Sequence, residues 1–143
     1  MKINLKFISF HSSLLMNRNV RKMIETYGYE GFYIYFNTIM YMANNDGFYS
    51  VLDDILYLDI AEQTNSEFET VEKVIRFLMK KGILQMLTIG DKKVIYDITL
   101  YENALRVIKK YKWKPTKNVN HLITMISNDI EKDLSNILDN DEE

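Results

Sequence analysis

Residues 53–84 read DDILYLDIAEQTNSEFETVEKVIRFLMKKGIL and contain the order of elements that decides the fold. Asp53 and Asp54 precede an apolar-periodic run, and acids are favoured at a helix N-terminus, so they predict the start of a helix. Ser66 and Glu69 have the S-x-x-E spacing of a capping box, which predicts the start of the next helix. The glycine of KKGIL is a typical helix stop. Two helices separated by a short break are therefore expected in this stretch.

A β-hairpin is predicted directly after these two helices. Residues 83–89 (ILQMLTI) and 94–100 (VIYDITL) are rich in strand-forming side chains, and GDKK at 90–93 supplies turn residues between them. Helix, turn, helix and then a hairpin is the order of a winged helix. This pattern specifies a fold better than it specifies a function.

The remaining elements are predicted from apolar spacing and turn residues. Helices are expected at 17–27, 30–44 and 100–112, and a short strand is expected at 48–52. The predicted fold class is mainly α with a small β-hairpin (α+β), a winged helix-turn-helix with a C-terminal helical extension. The predicted domain division is a winged-helix domain over 1–114 and an amphipathic helical segment with an acidic tail over 115–143.

Composition argues against most enzyme and membrane classes. The 143 residues include no cysteine and two histidines, which excludes a disulfide scaffold, a thiolate zinc site and a cysteine nucleophile. The sequence has no phosphate-binding glycine loop, no nucleophile–base motif, no signal-peptide pattern and no apolar run long enough for a membrane span. We therefore expect a cytoplasmic, non-enzymatic protein with no catalytic residue, metal, cofactor or small-molecule substrate.

The formal net charge of −2 is divided unevenly along the chain. Residues 129–143 hold seven acids and one lysine, whereas residues 1–128 hold 17 bases and 13 acids. No acid lies between Glu102 and Asp129, and six bases fall within twelve positions of that stretch. Segregated charge of this kind predicts a basic surface and an acidic tail, although a solvated helix face explains it equally well.

The N-terminal part of the chain resembles a known family. FISFHSSLLMNRNVRKMIETYG at 7–28 and EGFYIYFNTIMYM at 30–42, followed by the winged-helix pattern, are similar to the N-terminal winged-helix domain of phage and bacterial replisome organisers, the DnaD-like family. The resemblance covers roughly residues 5–112. It implies a domain that acts in replication initiation and contacts DNA, itself or other replication proteins.

Basic residues on the second helix of the pair, at the wing and after it are the candidate DNA contacts. Aromatic residues are interleaved with several of them, as in surfaces that hold a phosphate backbone or stack on a base. Glu67, Glu69 and Glu72 oppose base reading, because they fall where a recognition helix would meet the groove. The candidates are Lys73, Arg76, Lys80, Lys92, Lys93, Arg106, Lys109, Lys110, Lys112, Lys114 and Lys117.

An apolar stripe at helical spacing follows the predicted domain. It either packs back on the domain or meets another copy, and it makes a homo-oligomer an expected state. The aromatic helix at 30–44 and the N-terminal segment are the other expected oligomer contacts. The oligomerisation candidates in the stripe are Val119, Leu122, Ile123, Ile126, Ile130, Leu134 and Ile137.

These observations favour a DnaD-like protein that binds DNA, replication proteins or both. The alternative is a protein-binding adaptor or inhibitor that kept the winged helix and lost DNA binding. A sequence-specific transcription repressor is the third hypothesis.

Overall fold

In the part of the chain that the structure describes, four helices and a three-stranded antiparallel sheet form most of the fold. The computed structural model describes residues 16–45, 47–112, 117, 118, 120, 122–124 and 126. The elements are α1 (Arg18–Ala43), β1 (Tyr49–Val51), α2 (Asp54–Thr64), α3 (Phe68–Lys80), β2 (Gln85–Ile89), β3 (Lys92–Tyr96) and α4 (Ile98–Tyr111). The expected mainly helical α+β class is confirmed. The described residues from 117 to 126 are also helical.

The two helices predicted at 17–27 and 30–44 form the two halves of α1. Gly28 lies between them with non-helical backbone angles, φ 70° and ψ −165°, and a positive φ is accessible to glycine at little cost. Asn17 caps the first half by accepting from the backbone N–H of Asn19 at 2.9 Å. The second half is buried on one side, where Ile34, Ile39 and Met42 enter the core, although its nearly unbroken apolar sequence predicts burial all round.

The helix pair predicted over 53–84 is present, but its expected capping box is not. Asp53 caps α2 through the N–H of Leu56 at 3.1 Å. At α3 the N-cap residue is Glu67, whose side chain makes no capping bond. The hydroxyl oxygen of Ser66 is buried without a hydrogen-bond partner among the described residues. The S-x-x-E prediction was wrong because the chain enters the helix one residue later than the motif requires.

The predicted hairpin is present with a tighter turn. Gly90 and Asp91 alone connect β2 to β3, so both lysines expected in the turn belong to the strand. β3 is the central strand, paired with β2 and β1. It ends at Tyr96 because Asp97 caps α4 through the N–H of Leu100 at 2.9 Å. Residues 98–100, expected in the strand, are therefore the first turn of α4.

The sheet separates two apolar clusters. Ile95 faces the main core, which is formed largely by α1, α2 and α3. Its neighbours Val94 and Tyr96 point to the opposite face, since strand side chains alternate. There they pack with Leu122 and Ile126 from the C-terminal helical residues. The sheet is thus covered on both faces. Helix α4 begins after the C-terminal end of β3, at the opposite end of that strand from the hairpin turn.

Candidate nucleic-acid interface

Helix α3 presents three of the candidate cations on one exposed face. Lys73, Arg76 and Lys80 are all exposed and recur at helical spacing, opposite the buried face that contains Val74 and Leu78. Arg76 forms an ion pair with Glu72 one turn earlier. This face is therefore basic along its C-terminal half.

The N-terminal end of α3 is acidic, as the sequence predicted. Glu67 and Glu69 are exposed, and Glu72 is half-buried beside Arg76. Two exposed carboxylates repel phosphate where a recognition helix would enter a groove. The cations of α3 lie in the following turns, so any phosphate contact falls on its C-terminal half.

The hairpin carries two exposed lysines on opposite faces. Lys92 pairs with Ile89 and Lys93 pairs with Thr88 in the β2–β3 register. Adjacent strand residues point to opposite sides of a sheet. Lys92 and Lys93 therefore flank the hairpin near its turn, one on each side.

Helix α4 ends in a dense group of cations. Arg106, Lys109 and Lys110 are exposed and spaced by three and four residues, which puts them on one face. The Lys110 ammonium lies 5.5 Å from the ring centre of Tyr111, an arrangement typical of a cation–π contact. Lys112 ends the helix with left-handed backbone, φ 53°. Lys112 and Lys117 are exposed, and Lys114 lies outside the described residues.

The Gln85 side chain fixes α4 relative to the end of α3. Its amide nitrogen donates to the carbonyl of Gly82 at 2.8 Å, and its amide oxygen accepts from the N–H of Ile98 at 3.0 Å. Gly82 follows α3 and Ile98 begins α4. One side chain therefore bridges the two basic helices.

A buried polar pair fixes the first turn of α4 against α1. Asp97 is 4% exposed and accepts a hydrogen bond from the hydroxyl of Tyr35 in α1. Burial raises the pKa of Asp97, and the bonds from Leu100, Thr99 and Tyr35 only partly oppose that rise. Burial and the neighbouring Asp97 raise the pKa of Tyr35 far above its ordinary value. Tyr35 therefore remains a hydrogen-bond donor at neutral pH.

Three exposed cations in the first turns of α1 were missed by the sequence analysis. Arg18, Arg21 and Lys22 line a surface groove together with Met16 and Glu25. Their signal was present in the sequence, because their spacing of three and four residues places them opposite the apolar face of the same helix.

The structure describes three of the seven candidate oligomer contacts in the C-terminal segment. Leu122 and Ile126 are buried against the sheet of their own chain, and Ile123 is partly buried against the main core. For these three residues the stripe packs back on the domain, one of the two alternatives that the sequence left open. Val119, Ile130, Leu134 and Ile137 lie outside the described residues.

An exposed apolar stripe runs along the second half of α1. Tyr29 is 82% exposed, Tyr33 50%, Phe36 39% and Met40 38%. Their spacing of three and four residues places them on one face of the helix, away from the core. The sequence has no charged residue from 31 to 45. This aromatic stripe is therefore both exposed and uncharged.

Neither a metal-ion cluster nor a membrane-spanning helix is found in the part of the chain that the structure describes. Within the described ranges, no set of three His, Asp or Glu side chains comes together that could hold a metal ion. Among the helices described, none has the length and apolar character needed to cross a bilayer.

A family model described as Lin1244/Lin1753-like, N-terminal, matches residues 7–96. The match includes α1, α2, α3 and the whole sheet, and it ends just before α4. That description names a family and no activity, and the DnaD-like resemblance stays a prediction. No curated protein and no solved structure matches the chain. Because the family model covers well over half of the sequence, the chain belongs to the Lin1244/Lin1753-like N-terminal family.

Proposed function

We propose that this chain is a non-enzymatic winged-helix protein of the DnaD-like, phage or bacterial type that binds DNA, replication proteins or both in the cytoplasm. The order of elements supports a winged helix. Helices α2 and α3 follow one another across a short break, β2 and β3 form a wing-like hairpin, and β1 adds a third strand to it. Its nucleic-acid contacts are the hairpin, the C-terminal half of α3 and α4.

The proposal rests on the exposure of the candidate cations of α4 and of the hairpin, and on their lack of ion-pair partners among the described residues. Among the described residues, the Glu72–Arg76 pair is the only ion pair. The cations of α4 and of the hairpin are exposed and have no carboxylate within 4 Å among those residues. Exposed, unpaired cations on neighbouring elements are what a phosphate backbone requires, because binding releases the counterions of the nucleic acid.

The acidic start of α3 decides which type of DNA contact is proposed. Base reading needs the first turns of the recognition helix in the major groove, where Glu67 and Glu69 would meet phosphates. The proposed contact is therefore with the backbone rather than with a specific sequence. This argues against the transcription-repressor hypothesis.

Titration of a labelled duplex and of the matching single strand with the full chain, at about 50 and 200 mM salt, tests the proposal. Binding is expected to weaken steeply with salt, as for a protein that neutralises several phosphates. The double variant Lys109→Glu/Lys110→Glu is expected to bind about tenfold more weakly or worse at the lower salt. Glu102→Lys is the matched control, because it adds a cation one turn before Arg106 and is expected to tighten binding.

A second candidate function is a protein-binding adaptor or inhibitor that has lost DNA binding. The exposed carboxylates of Glu67 and Glu69 favour it, because they suit a basic protein surface better than a phosphate backbone. If neither DNA form binds at the lower salt, this candidate replaces the first. A host-lysate pull-down with wild type and with Glu67→Lys/Glu69→Lys then identifies partners that depend on these carboxylates.

Self-association belongs to the proposal and is assigned to the aromatic stripe of Tyr29, Tyr33, Phe36 and Met40. Aromatic residues and methionine are enriched in interface cores, and charged residues are depleted there. An uncharged stripe also allows two identical copies to meet without repulsion.

A further inference from the structure

The first turns of α1 form a compact basic surface that the proposed function does not use. Arg18, Arg21 and Lys22 are exposed, and their spacing of three and four residues places them on one side of the helix. Val20 and Met23, on the other side, are buried in the main core. The helix is therefore anchored, and its three cations are held along the outer surface.

Two contacts place this surface beside the end of α3. The Asn19 amide donates a hydrogen bond to the backbone carbonyl of Lys81 at 3.1 Å. Further along, the rings of Tyr27 and Phe77 meet edge to face, with centroids 5.5 Å apart. The C-terminal end of α3 thus lies against the first half of α1.

The cations of the two helices lie on neighbouring elements. Lys81 lies between them, with its ammonium 5.8 Å from the ring centre of Phe77. Lys80 is the last residue of α3 and lies on its exposed basic face. From Lys73 to Lys80 the face extends about 10 Å at the rise of an α-helix. Because Asn19 meets Lys81 and Tyr27 meets Phe77, the two helices run antiparallel, and the cations of α1 lie alongside the last turns of α3.

The cations of α1 form no ion pair with any described carboxylate, so they are available to bind an anion. Glu25 lies one turn after Arg21 and lines the same groove, yet it is in no ion pair with any described residue. The N-terminal end of α1 adds the positive end of the helix dipole. Three cations against one carboxylate give the groove a net positive charge.

We infer that Arg18, Arg21 and Lys22 form a second phosphate-backbone contact, which extends the nucleic-acid interface from α3 onto α1. The inference rests on the proposed function, since it assigns further residues to the same ligand. Cations distributed over two neighbouring helices suit the repeated phosphates of a nucleic acid. A single small phosphate would need donors that converge on one point. The exposed cations of α1 and of the C-terminal half of α3 are instead distributed over two helices.

The salt dependence of DNA binding by the full chain tests this contact. The slope of log Kobs against log salt changes by about 0.9 for each phosphate contact on a duplex. The triple variant Arg18→Gln/Arg21→Gln/Lys22→Gln is therefore expected to flatten the slope by about 2 to 3 and to weaken binding at low salt. Glu25→Gln is the matched control from the same groove. It is expected to keep the wild-type slope and to bind equally well or more tightly.

The outcomes separate this inference from the proposed function. If wild type binds and Lys109→Glu/Lys110→Glu weakens it, while the triple variant keeps the wild-type slope, the α1 contact is wrong and the proposed function stands. Weaker binding with an unchanged slope also overturns it, because a lost phosphate contact must change the slope. If wild type binds neither duplex nor single strand, the proposed function fails and the α1 contact fails with it. Thermal unfolding of each variant shows that its fold is retained.

Discussion

The hydroxyl of Tyr35 in α1 donates a hydrogen bond to the buried carboxylate of Asp97, which also caps α4. This contact joins the centre of the helical core to the point where the chain leaves the sheet. The direction of α4, and with it the position of Arg106, Lys109 and Lys110, depends on that first turn. A contact in the protein interior thus fixes the start of α4, which carries Arg106, Lys109 and Lys110.

Asp97→Ala is expected to destabilise the protein by about 2–4 kcal/mol. The change removes the helix cap, which is worth about 0.5–2 kcal/mol. It also leaves the Tyr35 hydroxyl buried without its acceptor, which costs about 1–3 kcal/mol. Urea unfolding measures the loss. Asp53→Ala is the matched control at the exposed cap of α2 and is expected to cost only about 1 kcal/mol. Equal losses for the two variants would show that the Tyr35 contact contributes nothing.

Asp97 also predicts a pH dependence of stability. Its pKa in the folded protein is raised, mainly by burial, above the unfolded value of about 3.9. Between these two values the folded state binds more protons than the unfolded state, so this group's contribution to stability falls as the pH rises. Asp97→Asn keeps an acceptor for the N–H of Leu100 and cannot ionise. The unfolding free energy of this variant minus that of wild type is therefore expected to increase as the pH rises from about 4, and then to level off. A difference that stays constant over pH 4 to 7 would contradict the raised pKa.

The elements that the sequence predicted well are those with strong apolar periodicity. The apolar stripe of α3 leaves only one side of that helix to be buried. The nearly all-apolar second half of α1 predicts a helix in the core, but it does not predict which side stays exposed. Boundaries set by a single polar contact were predicted less well. The alternation at 94–100 continues past Tyr96, and only the cap from Asp97 to Leu100 turns that run into a helix.

Ser66 gives a direct comparison of the sequence motif with the structure. A capping serine would cost about 0.5–2 kcal/mol when replaced by alanine. In the structure its hydroxyl oxygen is buried without a partner among the described residues. Removing an unsatisfied buried hydroxyl relieves a desolvation penalty, so Ser66→Ala is expected to be neutral or stabilising. Thermal unfolding measures the change in stability. A clear loss of stability would show that Ser66 caps α3 after all.

Leu122 tests whether the C-terminal helical residues belong to the folded domain. Its side chain is 1% exposed and packs against the outer face of the sheet. Leu122→Ala is expected to cost about 2–4 kcal/mol, as for other buried leucines. Thr124→Ala, at an exposed position of the same segment, is expected to change stability by less than about 0.5 kcal/mol. A Leu122→Ala variant as stable as Thr124→Ala would show that this segment does not cover the sheet.

The candidate site was only partly predictable, because charge in a sequence does not give position in space. The density of lysines after residue 102 marked α4. The cations of α1 are no less exposed, but they come near the basic end of α3 through the contacts of Asn19 with Lys81 and of Tyr27 with Phe77. No local pattern predicts a hydrogen bond between residues so far apart in the chain. The apolar stripe around Leu122 was also only partly predictable. Its spacing predicts a helix, but it does not show that this helix packs against the sheet.

Tyr33 tests the aromatic stripe as a contact between copies. Tyr33 is half exposed at the middle of the stripe, so Tyr33→Glu is expected to leave the fold intact and to place a charge inside the interface. Wild type is expected to self-associate at micromolar concentration, and Tyr33→Glu is expected to be monomeric, by light scattering and sedimentation. Met86→Glu is the matched control, because Met86 is 48% exposed on β2 and does not belong to the aromatic stripe.

Mixing opposite charges tests the symmetry of the same contact. In a two-fold dimer each copy presents the same surface patch, so Tyr33 of one copy lies close to the stripe of the other. Tyr33→Lys and Tyr33→Glu are each expected to be monomeric alone, since like charges meet, and to form a heterodimer when mixed. A mixture that stays monomeric would rule out a two-fold contact through this stripe. A wild-type chain that is monomeric at high micromolar concentration would rule out self-association through it altogether.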